Sequence, residues 1–464
     1  MSGRYSLTVN NPIYLSIDDR YVSFYGNASY VYKNKLGLNA SIRMDQSNLF
    51  GTDPKYQYRP LWSIGANYAF LTHNEISWID RLSVRATYGI NGNVYKKSGP
   101  YIISTVMPYP NYTTNESYAA ITSPPNSALR WEKTKTTNLG LDFDFLNHRL
   151  QGSVDYYYKK TSDMLGERVS DPVLGWSKLV VNYAKMRNTG VELTLESRNI
   201  VNKNFQWSSS FLFNYNSNKI IELDNVTGSA TSYYSYLQTK VGRPYNSLYS
   251  INYAGLNDKG QPMAYKADGS TTIKVGDLKI DDLLYSGTYD PPYNASFSNY
   301  FNYKGFELSF MFTYYGGHVM RDIASNFVFN KTKPEESYLT NFDKTYLNFW
   351  KQAGDESDIY MAPKFNTGIS DSSADLWKAA NIHIQRADYI KLKDISLSYT
   401  FPRSLVNKVR ISDLKIIFQA QNVWKWTANK NNIDPEVWDS SRTGMITRGN
   451  AIPPTYTIGI NLSF

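Results

Sequence analysis

The sequence predicts an all-β protein, a transmembrane antiparallel β-barrel with long extracellular loops. Three observations carry this. The stretch 129–164 reads as a hairpin with strictly alternating faces. The same period recurs along most of the chain. The connections between the alternating runs are by turns short and long, the pattern of outer-membrane barrels.

The hairpin sets the pattern. Thr137, Leu139, Leu141, Phe143 and Phe145 alternate with Asn138, Gly140, Asp142 and Asp144. A polar turn, Asn147-His148-Arg149, follows. Leu150, Gly152, Val154, Tyr156 and Tyr158 then alternate with Gln151, Ser153, Asp155 and Tyr157. Period 2 gives one apolar and one polar face, and each arm has the length of a tilted membrane-spanning strand. The apolar face ends in aromatics, as an interfacial girdle would.

Read the same way, strands are expected at about 4–10, 21–33, 35–46, 60–71, 79–91, 132–146 and 149–163. They continue at 187–198, 205–217, 292–303, 305–316, 384–401, 409–423 and 454–464. Together they make about 14 wall strands, within the range of such barrels. Leu139, Leu141, Phe143, Leu193, Phe211, Phe310 and Phe418 are expected to face lipid. Asn34, Asn147–Arg149, Lys304 and Pro402–Lys408 mark short turns, and 92–131, 164–186, 218–291, 317–383 and 424–453 are long loops. The strand-like piece 247–256 has to belong to a folded external loop if the turns are to stay on one side. The last residues, Tyr456, Ile458, Ile460, Leu462 and Phe464, put an apolar residue at every second place and close on Phe. Such an ending suits the signal read by the barrel assembly machinery.

Composition narrows the classes. The chain has 464 residues, 40 of them Tyr, and a mean hydropathy of -0.47. No apolar run reaches the roughly 18 residues of a membrane helix. There is no Cys, which removes disulfides and thiolate metal sites. The net charge of +9 is dispersed, so nucleic-acid binding is not expected. His73, His148, His318 and His383 are scattered in turns and loops. No catalytic motif spacing appears, and neither an enzyme nor a cofactor or metal is expected. The first residues lack the apolar core of a signal peptide, so a piece of something longer is expected.

Several motifs together resemble the SusC/RagA-type TonB-dependent outer-membrane transporters. They are Leu129-Arg-Trp-Glu-Lys-Thr, Met186-Arg-Asn-Thr-Gly-Val-Glu-Leu193, Tyr253-Ala-Gly-Leu256 and Asp290-Pro-Pro-Tyr293. Ala387-Asp-Tyr-Ile-Lys-Leu-Lys393, Gln421-Asn422 and Asp434-Pro-Glu436 complete the set. The resemblance covers about Tyr21 to Phe464. It implies the C-terminal part of a barrel of about 22 strands, with plug and N-terminal strands absent from 1–464. It also implies a SusD-like surface lipoprotein lid and a TonB complex acting through the absent N-terminal region. The function implied is import of glycans or peptides across the outer membrane. A passive porin or adhesin barrel, or a secreted lectin sandwich, is the alternative.

Aromatic faces stack on sugars while amides and carboxylates bond hydroxyls. On that chemistry the candidate ligand contacts are Trp176, Tyr234, Tyr236, Trp377, Asp434, Glu436 and Trp438. The competing reading is that long loops need small cores of their own. Asp434 and Glu436 flank Pro435, which suits a turn or a lid contact better than acid–base or Ca²⁺ chemistry. Asp142 and Asp144 are read as a solvated lumen wall.

Overall fold

The computed structural model describes residues 20–48, 59–93, 100–169, 178–224, 228–322, 348–364, 371–440, 446–448 and 451–464. Thirteen strands form one antiparallel sheet in sequence order. They are β1 (Tyr21–Tyr32), β2 (Leu36–Ser47), β3 (Pro60–Ile76), β4 (Ile79–Asn93), β5 (Glu132–Phe145) and β6 (Leu150–Val169). Next come β7 (Lys178–Val201), β8 (Phe205–Leu223), β9 (Tyr293–Tyr303) and β10 (Phe306–Gly316). The sheet ends with β11 (Tyr389–Thr400), β12 (Asp413–Thr427) and β13 (Thr455–Ser463). The expected strand at 4–10 lies outside the described residues, so the described wall has thirteen strands where about 14 were expected.

Directly opposed residues in an antiparallel ladder share a face. Val84, Leu141, Val154, Leu193 and Phe213 therefore form one apolar row across five strands. Phe211, Phe297 and Phe312 continue that face, as do Phe310 with Ile395 and Leu397 with Phe418 and Ile458. All seven residues assigned to lipid stand on it. On this face Leu139 is 52% exposed and Phe418 43%.

Two paired irregularities hold the phase near the end of the wall. The register shifts between Met311 and Phe312, and again between Leu392 and Asp394. Asn422 takes the left-handed φ of 55° at the facing bulge. As a result Leu392 and Ile395 stay on one face although they are three places apart. Simple alternation misses this, and it ends the expected strand at 423 rather than at Thr427.

The other differences have local causes. The expected strand 384–401 is split, because Ile384–Arg386 leaves the wall to pair with Val319–Arg321. The expected strand 409–423 begins at Asp413, after helical turns over Arg403–Val406 and Asn407–Val409. β6, β7 and β8 run several residues past their expected ends. There apolar residues stand at adjacent places, as in Met164-Leu165, Leu179-Val180-Val181 and Ile220-Ile221, and strict alternation disappears. Within 92–131 a short hairpin, Ile103–Val106 with Ala119–Ser123, was not expected.

Connections alternate between two rims. The turns 32–36, 76–79, 145–150, 201–205, 303–306 and 400–413 lie on one. The strand ends at 47 and 60, 93 and 132, 169 and 178, 223 and 293, 316 and 389, and 427 and 455 lie on the other.

Candidate functional site

The polar face of the sheet and the loops above it make the candidate site. On the polar face, Arg85 Nε and Nη2 donate to both oxygens of Asp142 at 2.7 and 3.0 Å. Nη2 also reaches Asp155, with the shortest contact 3.1 Å. The clamp joins β4, β5 and β6 by side chains as well as by the ladder. Gly140 makes room for it, since a Cβ there would lie 2.7 Å from Asp155 and 2.8 Å from Arg85. Gly190, in the Met186–Leu193 motif, clears space in the same way for the Tyr157 ring, whose hydroxyl donates to Asn216 at 3.0 Å. Asp142 is thus clamped rather than simply solvated.

Nearer the short turns the same face forms a polar concavity of about 720 Å³. Glu196, Arg198, Ser210, Asp394, Gln419 and Gln421 line it. At the turn itself His148 Nδ1 lies 2.5 Å from Asp144 and its amide donates to Asp80. The Asp144 carboxylate raises the His148 pKa.

The long loops fold into a head with its own cores. Helix α1 (Ala230–Ser235) starts at Ser229, whose hydroxyl accepts from the Ser232 amide. It presents Tyr233 and Tyr234 to Tyr249, Ile251, Leu283 and Leu376. Helix α2 (Asp371–Lys378) turns Trp377 into a second cluster with Tyr253, Leu256, Trp350 and Ala362. The piece 247–256 is two off-wall strands, Ser247–Ile251 and Tyr253–Leu256, as the topology required.

Segments distant in sequence are tied by buried polar groups. Arg321 is 4% exposed and donates to the carbonyls of Tyr234 and Tyr249 at 2.7 and 2.6 Å. Burial lowers its pKa to about 10. The Ile251 amide donates to Ala379, and Asn381 accepts from the Tyr253 amide. Lower down, Asp388 accepts from the Gly317 amide at 2.6 Å and from Arg386 at 2.7 Å. Lys391 points from β11 to Asp434 at 2.8 Å and also bonds Glu436; Lys393 reaches Glu436 at 2.8 Å. Lys391 and Asp434 are both only 4% exposed. Three loops are thereby fastened into one assembly on the rim opposite the short turns.

The expected ligand contacts are distributed unevenly here. Trp176 lies outside the described residues. Tyr234 is buried, its hydroxyl donates to Asp375, and burial pushes its pKa up to about 12. Trp377 is 0% exposed and offers no surface to a ligand. Both serve the loop cores, as the competing reading had it. Asp434 and Glu436 are engaged by lysines. Tyr236 is 39% exposed at the end of α1. Trp438 opens a short strand, Trp438–Ser440, paired with Ile446–Arg448. Tyr456, Ile458, Ile460, Leu462 and Phe464 are all exposed on the apolar side of the last strand. Arg85, Arg321 and Lys391 were missed. Each is a single cation whose partners lie 40 or more positions away.

Residues 2–433 match a family model described as TonB dependent receptor-like, beta-barrel. The chain belongs to the TonB-dependent receptor-like β-barrel family. Members of this family reside in the outer membrane. The chain is 26% identical to TonB-dependent receptor P3 of Formosa agariphila, over 99% of its length and 47% of the relative's. It is 25% identical to TonB-dependent receptor SusC of Bacteroides thetaiotaomicron, over 96% and 44%. Among solved structures the RagAB peptide transporter superposes with a TM-score of 0.77 and 27% identity, over 96% of this chain and 48% of that one. A SusC/RagA-type barrel is thus what the motifs and the fold both match. The chain spans about half the length of the curated relatives it matches. Among the described residues β1 and β13 have no outer partner strand.

Proposed function

We propose that this chain forms barrel wall and external loops of a SusC-like transporter that imports oligomeric nutrients, glycans or peptides, across the outer membrane. The observation that carries it is the loop head. The described parts of three long connections, two of them sharing the main cores and the third joined through Ile433, are pinned by Arg321 and Lys391 above a polar wall. A passive pore has no use for a pinned head of that size, whereas a receptor needs a rigid surface that holds a ligand and docks a lid.

In this reading the apolar face meets lipid, the short turns are periplasmic and the head faces outward. A SusD-like surface lipoprotein closes over the head. A TonB complex supplies energy through a part of the protein outside this chain. The final aromatic strand is the segment handed to the barrel assembly machinery. Tyr236, Trp438 and Trp176 remain the proposed ligand contacts, with Asp434 and Glu436 placing the loop that carries Trp438.

The test is uptake of labelled oligosaccharide and oligopeptide libraries by cells with and without the gene, before and after collapse of the proton gradient. Gradient-dependent uptake lost with the gene supports the proposal. Uptake that survives collapse of the gradient would favour a passive pore.

A further inference from the structure

The short-turn rim is strongly basic. Five of its six turns carry an exposed cation: Lys33, Arg149, Lys203, Lys304 and Arg410. The last turn adds Arg403 and Lys408. Among the described residues none of these is paired with a carboxylate. Of the acids nearby, Asp80 is 6% exposed and accepts from His148, and Glu307 holds Lys415 at 2.8 Å. The loop rim differs, because 224–291 mixes acidic and basic residues throughout.

Directly beside these cations runs a belt of aromatics on the apolar face. Trp78 meets Phe145 at 5.6 Å, Phe205 meets Tyr303 at 6.4 Å, and Phe306 meets Tyr399 at 4.3 Å. Lys33 lies 5.2 Å over the Tyr32 ring and Lys304 5.4 Å over the Tyr303 ring. Both ammonium groups are therefore held against the belt, at the height where lipid headgroups begin.

We propose that this rim binds the phosphates of anionic phospholipids in the leaflet that meets the short turns. Aromatics hold the depth, and a ring of cations at that depth attracts negative headgroups. An isolated cation would have little effect after screening, but five turns repeat a cation along the wall. The inference rests on the membrane reading given above.

The experiment uses the native protein, purified from outer membranes in a neutral detergent. Phosphatidylglycerol or phosphatidylcholine is added, and native mass spectrometry counts retained lipid. Wild type should retain phosphatidylglycerol selectively. A K33Q/R149Q/K203Q/K304Q variant should lose that selectivity, by about fivefold in apparent affinity per cation removed. Heat-dependent migration on a denaturing gel checks that the variant is folded, and K203Q and K304Q singly serve if it is not. Equal retention of the two lipids by wild type, or unchanged selectivity in the folded variants, would overturn the proposal. So would an acidic protein that leaves with the cations while lipid retention stays the same. A wild type without heat-dependent migration would instead refute the membrane reading itself.

Discussion

At the residue scale, buried charge separates structural from ligand-facing side chains. Lys391 and Asp434 are enclosed, so removing one partner strands the other. Lys391→Met is expected to destabilise the attachment of 424–440 by about 3–5 kcal/mol, the range for a broken buried pair. Limited proteolysis should detect new cleavage in that loop while the wall stays resistant. Glu436 would be less affected, because Lys393 still holds it and its carboxyl sits below the usual range through both lysines, against the opposing effect of burial. A second pair of changes tests the faces of the wall. Leu141→Arg puts charge on the apolar face and should cost roughly 2–4 kcal/mol in a bilayer. Ser210→Lys, on the polar face at the concavity, should cost under about 1 kcal/mol, because water reaches it. Folding titrations into vesicles measure both, and equal costs would mean that the faces are assigned wrongly. Asp142 is a poor control for this comparison, since a charge reversal there would also oppose Arg85.

At the element scale, the loop head and the wall are stabilised by different physics. The wall rests on its ladder and on lipid. The head rests on packed aromatics with buried imidazoles. Burial lowers the pKa of His318 to about 4 and that of His383 to about 4, from an ordinary 6.5. Both are neutral in the folded head. Between pH 6.5 and 4 the unfolded loops bind protons that the folded head does not. Stability is therefore complete above that window and falls as the pH drops through it, by about 1.4 kcal/mol per unit for each histidine. Hydrogen exchange, corrected for intrinsic rates, should show 230–290 and 371–390 opening between pH 7 and 5 while β5 to β8 stay protected. Wall and head opening together would refute separate control. Asn or Gln at both histidines should flatten the response.

At the scale of the whole molecule, the last strand matters out of proportion to its contacts. β13 pairs only with β12 among the described residues, and Phe464 is 92% exposed. Its packing value in this structure is therefore small. If the terminal pattern is an assembly signal, deleting Phe464 should lower the amount of native protein in the outer membrane several-fold, with little change in the melting of what is assembled. Equal reduction in both would make Phe464 a structural residue only. The same scale explains the exposed edges. An unpaired edge in lipid leaves N–H and C=O groups unsatisfied at several kcal/mol each, so β1 and β13 need partner strands in the membrane.

The sequence alone determined what repeats. Period 2, long against short connections and aromatics at the ends of the runs gave the barrel class, the thirteen described wall strands and which residues share the apolar face. Those signals are local, because neighbours in a strand alternate whatever lies opposite. Tertiary structure decided what depends on partners. Trp377 and Tyr236 look alike as loop aromatics, and only packing makes one a core residue and the other a surface. Arg85 is one cation in an alternating strand until β5 and β6 bring Asp142 and Asp155 beside it. The bulges at Lys393 and Asn422 break the period that the reading relied on, yet keep the apolar face continuous. Burial and pairing arise between segments far apart in the chain, and one sequence read in order carries no signal of which segments will meet.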